Sequence, residues 1–183
     1  MRYGVAQSSH KTTGSAPAAA PIIGRNFEGN LAGNSVPNDN SMAISNGGKI
    51  MSCINTNILG YDLNEDTIQF NESLAAWAFP LLISGSKFDP KVVYDPVEDR
   101  FILVVLNGST PLVSRIIIGF SQTNDPEGDW NLYSVSGDPV QDSTWSDYPA
   151  ISITEGELFI TVNQIIPGEP WQTGFAQSII WQI

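Results

Sequence analysis

Asp39, Asp89 and Asp147 each stand at the head of a strand-like run, in PNDNSMAIS, KFDPKVVYD and SDYPAIS. Carboxylates brought together in this way can hold a metal ion. Their oxygens suit a hard cation such as Ca²⁺, and, independently of that placement, the chain's 19 acidic residues are enough to supply the two carboxylates of a glycosidase without the sequence pointing to any pair. No dedicated calcium-loop spacing surrounds the three aspartates, so capping of the strand starts is the plainer alternative for all of them. A second constellation, Thr123, Asp125, Gly128 and Trp130 in SQTNDPEGDW, has turn chemistry. Asp125 offers an acceptor to turn N–H groups, Pro126 fixes the next φ, Gly128 permits a positive φ, and Trp130 supplies a large apolar cover. Asp-Pro occurs four times, at residues 89, 95, 125 and 138, with the same turn reading.

Other chemistries lack their residues. The only histidine, His10, lies in an Ala/Ser/Thr/Gly tail, which excludes a Ser-His-Asp site. Zinc has too few ligands. Cys53, the only cysteine, lies in the strand-like CINTNILGY and reads as a small buried hydrophobe. Arg100 and Arg115 are the only arginines after residue 36, too few for an anion-binding cluster, and each begins an apolar run.

The composition limits the partners. The chain has 183 residues, 42% hydrophobic and 10% aromatic, enough for a packed core. Its 16 glycines and 12 prolines imply many turns. A net charge of −11 excludes nucleic acid as a partner, since phosphate binding draws on Lys and Arg. No apolar run reaches the roughly 18 residues of a membrane helix, so no membrane insertion is expected. The first residues, MRYGVAQSSHKTTGSAPAAAP, have no apolar core of a secretory signal, so an export signal is expected upstream or not at all.

The elements that must position the aspartates follow from the pattern. Residues 1–36 are poor in periodic hydrophobicity and read as a flexible tail or linker. From Pro37 onward, short runs rich in Val, Ile, Phe, Tyr and Trp alternate with Gly, Asn, Asp and Pro, which predicts strands and turns. The single stretch with helical character is ESLAAWAF, residues 72–79. An internal repeat organises the strands. Asp39 leads through Ala-Ile-Ser to Asn55, and Asp147 leads through Ala-Ile-Ser to Asn163, each sixteen residues on. A looser copy runs from Asp89 to Asn107.

The leading aspartates are 50 and 58 residues apart, a period suited to a four-stranded β-propeller blade. KVVYD, RFILVVLN, RIIIGFSQT and WNLYSV supply one complete blade, with SQTNDPEGDW as its last hairpin. The expected fold is therefore all-β: a propeller-like repeat of four-stranded antiparallel blades over 37–183. The blades span about 37–86, 87–144 and 145–183, the third incomplete, so that about two and a half are present. A part-ring leaves sheet faces open, so the chain is expected to be the N-terminal part of a longer propeller and prone to associate.

The hairpin resembles the Asp-box of sialidase-like propellers, with Thr123, Asp125 and Trp130 in place and Gly128 one position late. In that family the box stabilises a turn remote from catalysis. FSQTNDPEGDW is also similar to a strand-and-turn segment of five-bladed arabinanase-like glycosidases. More widely, NFEGN, PNDNSMAIS, FDPKVVYDPVEDRF, IIIGFSQTNDPEGDWNLY, SDYPAIS and ELFITVNQI resemble, in order over 26–183, a family of secreted Bacteroidetes β-propeller proteins. Members of that family often carry a C-terminal sorting domain for type IX secretion. The resemblance implies a β-propeller, export and surface attachment, and it transfers no catalytic residue. The expected role is an extracellular recognition or scaffold module for carbohydrate or protein. A glycoside hydrolase and a purely structural repeat are the alternatives. Trp145 and Trp171 are candidates to stack on sugar rings or to pack between blades.

Overall fold

The computed structural model describes residues 22, 24–31, 33 and 35–183, the side chain of Trp171 excepted. His10 and most of the expected tail lie outside the described residues. The described chain folds into three antiparallel sheets, each a meander in which sequential strands pair. The first holds β1 (Ser41–Ile44), β2 (Lys49–Cys53), β3 (Asn57–Asp62) and β4 (Thr67–Ser73). The second holds β5 (Lys87–Asp95), β6 (Arg100–Asn107), β7 (Arg115–Ser121) and β8 (Trp130–Ser136). The third holds β9 (Trp145–Ile153), β10 (Leu158–Ile165) and β11 (Phe175–Gln182). The all-β reading is correct, and each sheet lies within one expected repeat span.

The second sheet lies between the other two. Phe101, Leu103, Val105 and Ile117 pack with Met51, Cys53 and Ile58 of the first sheet. Ile102, Val104, Leu106, Ile116 and Ile118 pack with Leu158, Ile160 and Val162 of the third. Successive strand residues point to opposite faces, so a strand covered on both sides must be apolar at nearly every position. That requirement is met by RFILVVLN and RIIIGF. The outermost strands β4 and β8, covered on one side only, have no fully buried residue. β1 lies beside β5 and β5 beside β9, so the first strands of the three sheets are neighbours. The Ser41 hydroxyl accepts from the Val92 N–H at 3.0 Å across the first of these contacts.

The helical stretch forms one α-turn, α1 (Leu74–Trp77), and a 3₁₀ turn at Phe79–Leu81. Ser73 caps it, accepting from the Ala76 N–H at 3.0 Å. Leu74 and Trp77 are its buried residues. A second turn, α2 (Trp171–Gly174), had no signal in the sequence.

The described part of the expected tail is laid on the outer face of the first sheet. Phe27 stacks on Tyr61 with ring centroids 4.1 Å apart. The Asn30 amide donates to the Ser52 carbonyl at 2.9 Å, and Arg25 to the Leu63 carbonyl at 2.9 Å. This stretch is apolar cover at Phe27 and hydrogen-bonded on either side of it.

In the hairpin between β7 and β8, Asp125 Oδ1 accepts from the Glu127 N–H at 3.1 Å, and Trp130 Nε1 donates to the Pro126 carbonyl at 3.1 Å. Gly128 does not have a positive φ, which corrects the expectation for it. A Cβ there would lie 3.4 Å from the Asp125 carbonyl oxygen, an ordinary contact. Gly128→Ala should therefore shift stability by no more than about 0.5 kcal/mol. Asp125→Ala removes the turn acceptor and a 3.4 Å ion pair to Lys49. It should cost about 1 kcal/mol, or about 2–4 °C in melting temperature. Thermal melts of the two variants check this order; a larger loss for Gly128→Ala overturns it.

Candidate functional site

The three aspartates meet at one end of the stacked sheets. Each strand start is kinked into the left-handed region, at Asp39 (φ 47), Asp89 (φ 50) and Tyr148 (φ 46). Asp tolerates this conformation better than most residues. The ladder is interrupted at the same level: pairing of β5 with β6 shifts between Phe88 and Lys91, and pairing of β10 with β9 shifts between Thr161 and Asn163. Bulges of this kind re-aim side chains at the rim of a sheet.

A chain of hydrogen bonds joins the strand starts from sheet to sheet. Asn55 Nδ2 donates to Asp39 Oδ2 and to the Pro37 carbonyl, both at 2.9 Å. Asn55 Oδ1 accepts from the Asp89 N–H at 2.5 Å. Asp89 Oδ2 in turn accepts from the Tyr148 N–H at 3.0 Å. Asp89 is only 7% exposed. Burial pushes its carboxyl up to about 7, with Asp147 and Asp39 acting in the same direction against the Tyr148 N–H. Asp147 is also raised, chiefly by burial.

These groups line an open pocket of about 870 Å³. Asp39, Asp89 and Asp147 share it with Asn55, Asn163, Trp145 and Tyr148. Trp145 meets Phe88 edge to face at 6.2 Å, so it packs between sheets and also faces the pocket. The Lys91 ammonium lies 5.0 Å from the centre of the Tyr148 ring. Among the described residues, none that lines it is basic. Among the described residues, no group of three or more His, Cys, Asp or Glu side chains is placed to hold a metal ion.

The other expected residues lie elsewhere. The hairpin with Thr123, Asp125, Gly128 and Trp130 is at the opposite end, where Lys49 reaches both Asp62 at 2.7 Å and Asp125 at 3.4 Å. Arg100 lies over the Phe120 ring at 4.8 Å, and Arg115 donates to the Ser114 carbonyl at 2.8 Å. Cys53 is fully buried, and burial pushes its thiol up and away from nucleophilic use. Asn107 departs from the repeat. It pairs across the sheet with Lys87 and donates to the Ser84 and Val113 carbonyls at 3.1 and 2.8 Å, so it holds loops instead of the pocket.

Sequence reasoning placed Asn55 and Asn163 only as the ends of repeats and gave Tyr148 no role. The signal was present: each asparagine meets its repeat's aspartate, Asn163 opposite Asp147 in the ladder and Asn55 with Asp39 by a side-chain hydrogen bond beyond the end of it. No family model, curated protein or solved structure matches this chain. Among the described residues, no helix is long and apolar enough to cross a membrane.

Proposed function

We propose that the three sheets are blades of a β-propeller of a secreted or cell-surface protein, of the Bacteroidetes type that the sequence resembles. Its pocket at the strand starts binds carbohydrate. The observation that carries this reading is the pocket's lining. Trp145 and Tyr148 offer aromatic faces, while Asp39, Asp89, Asp147, Asn55 and Asn163 crowd hydrogen-bonding oxygens and amides around them. Sugar rings ask for this combination of an apolar face and convergent acceptors and donors. The lack of basic lining disfavours phosphates and other anions.

A glycan array probed with the 183-residue protein tests the reading. Binding to a defined group of neutral glycans is expected, weakened at least about tenfold by Trp145→Ala and by Asp147→Asn. Uniform absence of glycan binding, or binding that both variants retain, overturns it.

One observation favours glycoside hydrolysis as the second reading. Asp89 holds its proton up to about 7 beside Asp147, the arrangement of an acid next to a second carboxyl. Release of reducing sugar from a bound glycan, lost in Asp89→Asn, would favour catalysis over recognition.

A further inference from the structure

A second hollow, of about 420 Å³, adjoins the pocket between the loop ahead of β5 and the loop from β6 to β7. Trp145 and Asp147 line both spaces, so they form the wall that the two share. Ser86, Ser109 and Thr110, all exposed, bring three hydroxyls to the second space. Phe88, edge to face with Trp145, adds an apolar surface. Among the described residues that line it, Asp147 alone carries a charge.

Both loops are fixed before anything binds. Asn107 is fully buried, and its amide donates to the Ser84 carbonyl in one loop and to the Val113 carbonyl in the other, at 3.1 and 2.8 Å. The Gly108 N–H donates to the Ser86 carbonyl at 3.0 Å and ties the loops to each other directly. Gly108 has φ 69, and a Cβ there would lie 2.6 Å from a Val113 methyl carbon, so the second loop takes this path only with glycine. Lys87 Nζ donates to the Ile83 and Gly85 carbonyls at 2.8 and 2.9 Å, which engages the one nearby cation of β5's start with the loop backbone. In the first and third sheets the repeat's asparagine, Asn55 or Asn163, lines the pocket. In the second sheet Asn107 instead holds the walls of the second hollow. Walls set in advance lose less freedom when a ligand arrives.

We propose that the site takes an oligosaccharide, whose chain runs from the pocket beside Asp89 past Trp145 into the hollow of Ser86, Ser109 and Thr110. A sugar unit presents hydroxyls that both donate and accept, as do the three hydroxyls that meet it there. The near absence of charge suits a neutral unit, and Trp145, bordering both spaces, offers apolar surface to the chain as it crosses. Each volume lies within the roughly 300–1,000 Å³ of small-molecule sites. The inference rests on the carbohydrate reading proposed above and adds to it the length of the ligand and the contacts that read that length.

Titration calorimetry of the 183-residue protein tests it, with glucose, mannose, xylose and arabinose and their neutral α- and β-linked oligosaccharides of two to four units as probes. In the series that binds, affinity is expected to rise at least about tenfold from the single sugar to the longer chains. The triple variant Ser86→Ala, Ser109→Ala, Thr110→Val removes the three hydroxyls and should reduce that rise to no more than about twofold, with each single substitution losing part of it. All three side chains are exposed, and far-ultraviolet circular dichroism checks that the variants fold. Single sugars bound as tightly as the longer chains, or a rise that the triple variant keeps in full, overturn this inference and leave the carbohydrate reading standing. Binding by no member of any series overturns both.

Discussion

Asp89→Asn is expected to stabilise the protein at pH 8 and to flatten its pH dependence between about pH 4 and 7. Asp89 is buried among two other carboxyls, and its carboxyl is raised from an ordinary 3.8 to about 7 in the fold. A raised carboxyl means that the folded state binds the proton more tightly than the unfolded chain. The stability this contributes is complete below the unfolded value near 4 and is lost as pH rises through the folded value near 7. Three pH units correspond to about 4 kcal/mol. That is an upper bound, because Asp147, raised with it, shares the titration.

The groups that face Asp89 set the sign. Asp39, ahead of β1, and Asp147, on β9, oppose its ionisation. Lys91, two residues along β5, has its ammonium over the Tyr148 ring. Lys87, at the start of β5, has its amine on the Ile83 and Gly85 carbonyls. Asparagine stays neutral and can still accept from the Tyr148 N–H. Melting temperatures at pH 5 and pH 8 decide the matter. The parent should lose stability over this interval and the variant should lose much less. A parent whose melting temperature is flat over the interval, or a variant with the same slope as the parent, would sink the assignment of this pH dependence to Asp89.

The architecture was legible where a single physical requirement acts on every residue of a run. RFILVVLN and RIIIGF are apolar at nearly every position because sheets cover both of their faces. The alignment of the leading aspartates was legible because Asp39 and Asp147 each lead through Ala-Ile-Ser to an asparagine sixteen residues on. What the sequence did not reveal depends on register. Asn55 reaches Asp39 and the Asp89 N–H through a side chain, and Tyr148, not Asp147, is the kinked residue of the third strand start. A one-residue change of register of this kind leaves the composition of a run unchanged.

A second unread signal is Tyr-Asp-x-x-Glu-Asp, at residues 61–66 and 94–99. In both copies the first aspartate's Oδ1 accepts from N–H groups two and three residues on, the last aspartate has positive φ, and the tyrosine hydroxyl donates to that last aspartate. The first copy joins β3 to β4 and the second joins β5 to β6, so this turn chemistry is out of phase with the sheets and does not mark the repeat. Gly128 failed for the opposite reason. Its position suggested a glycine required for positive φ, yet Gly128 does not have one.

The largest expected loss of stability belongs to the contact between α1 and β7. Trp77 is buried beneath the short helix, edge to face with Trp130 at 5.6 Å, in the core between the first and second sheets. It fits there because position 119 is glycine. A Cβ at Gly119 would lie 2.4 Å from Trp77 Cζ2 and 2.9 Å from a methyl carbon of Leu132. Trp77→Ala should cost about 3–5 kcal/mol through the cavity it leaves, a large share of the 5–15 kcal/mol typical of a folded domain. Gly119→Ala should cost about 1–3 kcal/mol through overpacking. The two should not add. With the indole gone, the alanine methyl points into the vacated space, so the double variant should be no less stable than Trp77→Ala alone. Chemical denaturation of the four proteins gives the interaction energy directly. A sum of the two single losses in the double variant would mean that Gly119 is required for its backbone and not for the space it leaves to Trp77.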